Sequence, residues 1–265
     1  MSVLLAKLLL APAFVVGASL VARRFGPLIG GLVGGLPVVA GPILLAFALQ
    51  HGEAFAATAA VGTLLGLTSL TAFVVVYAFL APRLRWWLCL PIGWLAFLGG
   101  TLALDGVSLT SGAALAVTFA AFALALVVLP DPDVPPAQTT PPWWDLPARA
   151  LSALAMVLAL TAAAGSLGSH LSGLLAPFPI IASILAAFTH SHAGAASAQR
   201  ILRGMVMGYF AFALFCFTVA VTVEDLGIAG SFLLATGAAL AAQGVALMTV
   251  NRTFRAGPLR NRRAG

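Results

Sequence analysis

A block of this chain returns, without a gap, 142 residues further on. Gly31, Leu32, Pro37, Ala40, Gly52, Gly62, Gly66, Phe73 and Ala78 align with Gly173, Leu174, Pro179, Ala182, Gly194, Gly204, Gly208, Phe215 and Ala220. Val38-Val39 against Ile180-Ile181 adds conservative matches. Apolar residues coincide by chance in a chain of this kind, but glycines and a proline held at one offset are not explained that way. The pattern predicts a duplicated unit, and the relative orientation of its two copies bears most on function.

The copies read as membrane units. Of 265 residues, 62% are hydrophobic and 8% charged, with a mean hydropathy of +1.09. A soluble domain carries roughly a quarter charged residues, so the composition points to an integral helical membrane protein. The net charge of +6 does not point to nucleic acid. All but one of the 13 basic residues flank hydrophobic segments, where they report orientation. Cys89 and Cys216 both fall in apolar stretches and supply neither a disulfide framework nor a thiolate cluster.

A bilayer core asks for roughly 20 apolar residues per helix. Nine stretches qualify: 3–22, 28–50, 55–81, 86–105, 107–129, 147–169, 171–190, 199–223 and 227–250. The long connection, 130–146, is proline-rich, and Trp143-Trp144 suits a membrane–water interface. With nine spans, Arg23-Arg24, Arg83, Arg85, Arg149, Arg200, Arg203 and the tail arginines all fall on one side, and Glu53, Asp105, Glu224 and Asp225 on the other. The positive-inside rule then puts the N-terminus outside and the C-terminus in the cytoplasm. The first span, which has a counterpart at 147–169, reads as a retained helix and not a cleaved signal. Span one pairs with span six, so the copies enter the membrane from opposite sides. The expected organisation is repeat one over 1–106, a linking span and loop over 107–146, repeat two over 147–250, and a basic tail over 251–265.

Inverted-topology repeats are characteristic of secondary transporters, whose sites form at broken helices near the midplane. Span two carries Pro37 and Pro42 among several glycines, and span seven carries Pro177 and Pro179. A mid-helix proline removes a hydrogen bond, and the freed backbone groups are tolerated at depth only inside protein or beside a wet cavity. Pro37, Gly41, Pro42, Pro177, Pro179 and Ser183 are therefore the candidate substrate-binding residues. Proline kinks also serve packing alone, and both readings stand. Gly62-x-x-x-Gly66 and Gly204-x-x-x-Gly208 predict close helix packing.

Charge is almost absent from the spans. Lys7 lies in the outer part of span one, and no Asp or Glu sits mid-span, which disfavours a relay built on a buried carboxylate. His190 and His192 at the cytoplasmic end of span seven, and His51 closing span two, are candidate gate or proton-coupling residues; His170 sits in an outer turn. Metal binding and a plain interfacial role are the other readings, and without a third ligand nearby no metal or cofactor is expected. Thr63, Thr68, Ser69, Thr71 and Thr218 are expected to bond back to their own helices. Gln243 should meet another helix. No nucleophile–base pair or phosphate loop is present in the sequence, and no enzyme is expected.

Each copy resembles the small, four-span GlpM and YdgC-type inner-membrane proteins of bacteria. The likeness rests on Gly173-Leu174-Leu175-Ala176-Pro177-Phe178-Pro179 and on Gly204 opening the next helix. The first copy departs from it, with Gly35-Leu36-Pro37 in place of Pro-Phe-Pro. The resemblance implies a bacterial inner-membrane location and a connection to exopolysaccharide production, without a settled activity. The expectation is a secondary transporter or flippase for a neutral, amphiphilic or anionic small-molecule or lipid-linked substrate, in contact with the bilayer and not with nucleic acid. The alternative is a non-transporting accessory protein of envelope or exopolysaccharide synthesis.

Overall fold

The computed structural model describes residues 2–132, 140–163 and 174–256, with side chains for 10–132, 140–159 and 174–250. Among them the regular structure is helical, without strands: α1 (Ser2–Phe25), α2 (Pro27–Gly34), α3 (Ala40–His51), α4 (Glu53–Leu80), α5 (Trp86–Leu104), α6 (Ser111–Val128), α7 (Asp145–Ala163) and α8 (Ile180–Ala256). The 77 residues of α8 are three rods, because Gly194 (φ 78°, ψ 175°) and Gly227 (φ 68°, ψ 172°) leave helical geometry. Gly52, the sequence counterpart of Gly194, has nearly the same backbone (φ 90°, ψ 173°) between α3 and α4. That region is essentially closed to residues with a Cβ, which accounts for a glycine at both places.

Among the described residues, four stretches are long and apolar enough to cross a membrane: Glu53–Leu80, Trp86–Leu104, Ser111–Val128 and Ile180–Val250. Their apolarity extends to the outside of the bundle. Leu95, Leu102, Leu124, Val127, Leu233 and Val245 are exposed, a surface that fits lipid and not water. The centre is α4, mostly buried and packed on α8, while α5 and α6 lie more exposed at the periphery. The Thr63, Thr71 and Thr218 hydroxyls donate to carbonyls four residues back, as their types predict, whereas those of Thr68 and Ser69 lack a partner.

Glycine sets the closest approaches. A Cβ on Gly31 of α2 would lie 1.9 Å from the Ile201 carbonyl oxygen, and one on Gly204 would lie 2.0 Å from that of Leu28. The same contact occurs twice with roles exchanged. A Cβ on Gly208 would meet the Leu32 oxygen at 2.3 Å, and one on Gly66 would meet the Leu174 oxygen at 2.4 Å. Both members of the second pair stand 142 residues from those of the first, with the copies swapped.

Helices α1 and α7 form a satellite core in which Ala11 and Val15 join Ala153 and Val157, again 142 apart. The last turn of α1 meets the first residue of α7 through Arg23 and Asp145, so the two helices run antiparallel. The connection read from sequence as 130–146 thus ends two residues early, since Asp145 opens α7 and its side chain is fully buried.

Candidate functional site

Proline and glycine interrupt the chain at two equivalent places. Between α2 and α3, Leu36 N donates to the Val33 carbonyl (3.1 Å), Val38 N to Leu36 (2.9 Å) and Gly41 N to Pro37 (2.8 Å). Ahead of α8, Phe178 N donates to Leu175 (2.9 Å), Ile180 N to Phe178 (2.6 Å) and Ser183 N to Pro179 (2.8 Å). Each bond has its partner exactly one repeat on in number, so the two breaks share a backbone path although their side chains differ.

The breaks face each other across a small cavity of about 40 Å³. Leu36 and Phe178 line it from the two breaks, Leu70 and Phe212 from the helices behind them, and Pro177 and Pro179 complete the wall. Leu36 with Phe178, and Leu70 with Phe212, are counterparts in the repeat, so the cavity lies where the two copies meet. Ala40 and Ile180, the first residues of α3 and α8, also border it. The positive ends of two helix dipoles therefore converge there. Tyr209 lines the same space, and its buried hydroxyl has no hydrogen-bond partner. The volume admits an occupant the size of one or two waters.

Pro37, Gly41 and Pro42 line a different space. They edge a lateral apolar groove of about 720 Å³ between α3 and the last rod of α8, with Phe215, Thr236 and Ala239 opposite. Leu36 borders both spaces and is the wall between them. Ser183 is engaged otherwise, accepting a hydrogen bond from Trp94 Nε1 at 2.9 Å. The six residues grouped from sequence thus fall into three settings: Pro177 and Pro179 at the central cavity, Pro37, Gly41 and Pro42 at the groove, and Ser183 beneath an indole.

The histidines are equally divided. His190 Nδ1 lies 3.4 Å from the Tyr77 hydroxyl, and His51 stacks on Phe55 with ring centroids 4.6 Å apart. His192 Nε2 is 3.4 Å from Asp145 Oδ1. His170 and the Lys7 side chain lie outside the described residues. Sequence reasoning missed Asp145, whose Oδ2 accepts from Arg23 (2.6 Å) and Arg149 (2.9 Å). The signal available was its position four residues before Arg149, the spacing of a helical ion pair. Among the described residues no group of three or more His, Cys, Asp or Glu could hold a metal.

Gln243 reaches across to the first break, where its Nε2 donates to the Leu32 carbonyl at 2.7 Å. Replacing it with leucine removes a buried bond beside the interruption, and the folded protein should lose about 1 kcal/mol in reversible unfolding. An unchanged midpoint would mean that the break does not depend on this strut. Compared with protein-family models, curated proteins and solved structures, the chain matches none.

Proposed function

We propose that this protein is a small transporter or flippase of the bacterial inner membrane, with nine spans arranged as two inverted four-span repeats about a linking helix. Its two halves expose a shared central site to one face of the bilayer and then to the other. The observation that carries the reading is the pair of helix breaks facing each other across one cavity, bordered by counterpart residues of the two copies. The antiparallel run of α1 and α7 and the exchanged glycine contacts support an inverted relation between the halves.

Two equal halves that can trade conformations give two states of similar energy, which is what alternating access requires. The cavity lining carries no charged side chain. Convergent helix N-termini and a free tyrosine hydroxyl suit a neutral or partly negative polar group. The small volume favours the accessory reading on one point, because a cavity of about 40 Å³ holds no sizeable substrate in this conformation.

Single cysteines at Leu36 and Phe178 separate the two. Cys89 and Cys216 are both fully buried, so the added thiol dominates the labelling. In oriented vesicles, a transporter should let a membrane-impermeant maleimide reach each new thiol from either face. Reaction at neither position, or from one face only, would remove alternation and leave the accessory role.

A further inference from the structure

The lateral groove has a counterpart in the other half, and that counterpart is full. At the 142-residue offset, Leu36, Gly41, Thr236 and Ala239 of the groove correspond to Phe178, Ser183, Trp94 and Phe97. In the filled half, Phe97 meets Phe178 edge-on at 5.4 Å, and Trp94 lies against the same ring at 6.3 Å. The indole N–H is satisfied by the Ser183 hydroxyl at 2.9 Å. Every one of these groups is smaller on the groove side, where an indole, a phenyl ring and a hydroxymethyl have been trimmed to Thr, Ala and Gly.

Two residues that line the groove carry a hydrogen-bond acceptor not used up within their own helix. Pro42 has no N–H to give the Val38 carbonyl four residues back, and Val38 lines the groove. The Thr236 hydroxyl spends its proton on the Phe232 carbonyl (2.8 Å), which leaves its oxygen as an acceptor. No charged side chain lines the space. The groove is therefore apolar, supplied with acceptors, and without an ionic partner for a charged ligand. Its volume of about 720 Å³ falls within the roughly 300–1,000 Å³ usual for small-molecule pockets.

We propose that this groove binds a neutral, flat ring-bearing amphiphile from the bilayer, with one hydroxyl or N–H donor, where the other half seats its own Trp94 and Phe97. The proposal rests on the repeat and names the substrate class for the transport reading. The ring system lies between α3 and the last rod of α8, its donor turned to Val38 or Thr236. Leu36 separates the bound molecule from the central cavity, so its displacement joins the two spaces. A flexible acyl chain would fill the volume without using the acceptors or the flat shape left by the missing rings.

Full-length protein in detergent, titrated with 1-pyrenemethanol, tests this, with pyrene and 1-hexadecanol as controls. The expected result is a saturable rise in unfolding midpoint with pyrenemethanol, a weaker one with pyrene, and no competition by hexadecanol. Ala239→Phe should weaken pyrenemethanol binding roughly tenfold or more by refilling the groove. Thr236→Val, a near-isostere, should weaken pyrenemethanol and leave pyrene unchanged. The proposal is overturned if pyrenemethanol gives no saturable shift, if hexadecanol competes equally, or if neither variant alters binding. Thiol labelling at Leu36 and Phe178 reads alternation separately, so failure of binding and failure of transport are distinguishable.

Discussion

Asp145→Ala should lower the unfolding free energy by about 3–5 kcal/mol. Asp145 is fully buried, and one of its oxygens accepts from Arg23 of α1 and from Arg149 on its own helix. The other oxygen faces His192 of α8 at 3.4 Å. Three segments far apart in sequence therefore meet on a single carboxylate. Arg23 keeps a third of its side chain exposed and can turn to water when the acid is lost. Arg149 cannot, being 6% exposed and held against the Phe188 ring at 4.9 Å. Most of the loss is an arginine left buried without its counter-charge. Adding Arg149→Met should then recover much of the stability, since removing a buried pair altogether costs far less than breaking it. Reversible unfolding in mixed micelles reads both; equal stability of Asp145→Ala and the parent would place that carboxylate in solvent.

The second large effect is expected where α2 crosses the middle rod of α8. Gly204→Ala places a methyl group 2.0 Å from the Leu28 carbonyl oxygen, and Gly31→Ala places one 1.9 Å from that of Ile201. Both obstacles are backbone, so no rotamer change relieves them and the helices must separate. A cost of at least about 3 kcal/mol follows, at the upper end of what overpacking produces. Gly237 on the last rod of α8 is the internal control, with nothing within 4 Å of an added Cβ. Gly237→Ala should raise stability by up to about 1 kcal/mol through helix propensity alone. Similar midpoints for Gly204→Ala and Gly237→Ala would contradict the close crossing.

Much of this arrangement was readable from residue types. A run of apolar residues interrupted by Pro37 or Pro179 has to break, because proline removes a helix bond wherever it sits. Glycines four apart at 62 and 66, and at 204 and 208, announced close packing, and Gly66, Gly204 and Gly208 each lie against a carbonyl. Gln243 had to leave its own helix for a partner, and it does. What sequence could not supply was the pairing of distant groups. Asp145 reads as the solvated end of a proline-rich connection until Arg23, 122 residues away, is brought beside it. The prolines of the two breaks look like one set in sequence, yet Leu36 divides the space they line in two. Ser183 looked free because Trp94, on another helix, could not be placed against it. Local rules govern where a helix breaks; which neighbour fills the gap depends on the side chains of the opposite copy.

The single-residue corners at Gly52, Gly194 and Gly227 carry one more consequence. At each, one helix gives way to the next with no loop between them, so an antibody or soluble receptor finds a residue or two of chain to hold at these corners. Recognition of these parts of the molecule has to come sideways, from something that shares its hydrophobic surroundings. Binders should accordingly be selected against the protein in a lipid disc and not against peptides cut from its turns.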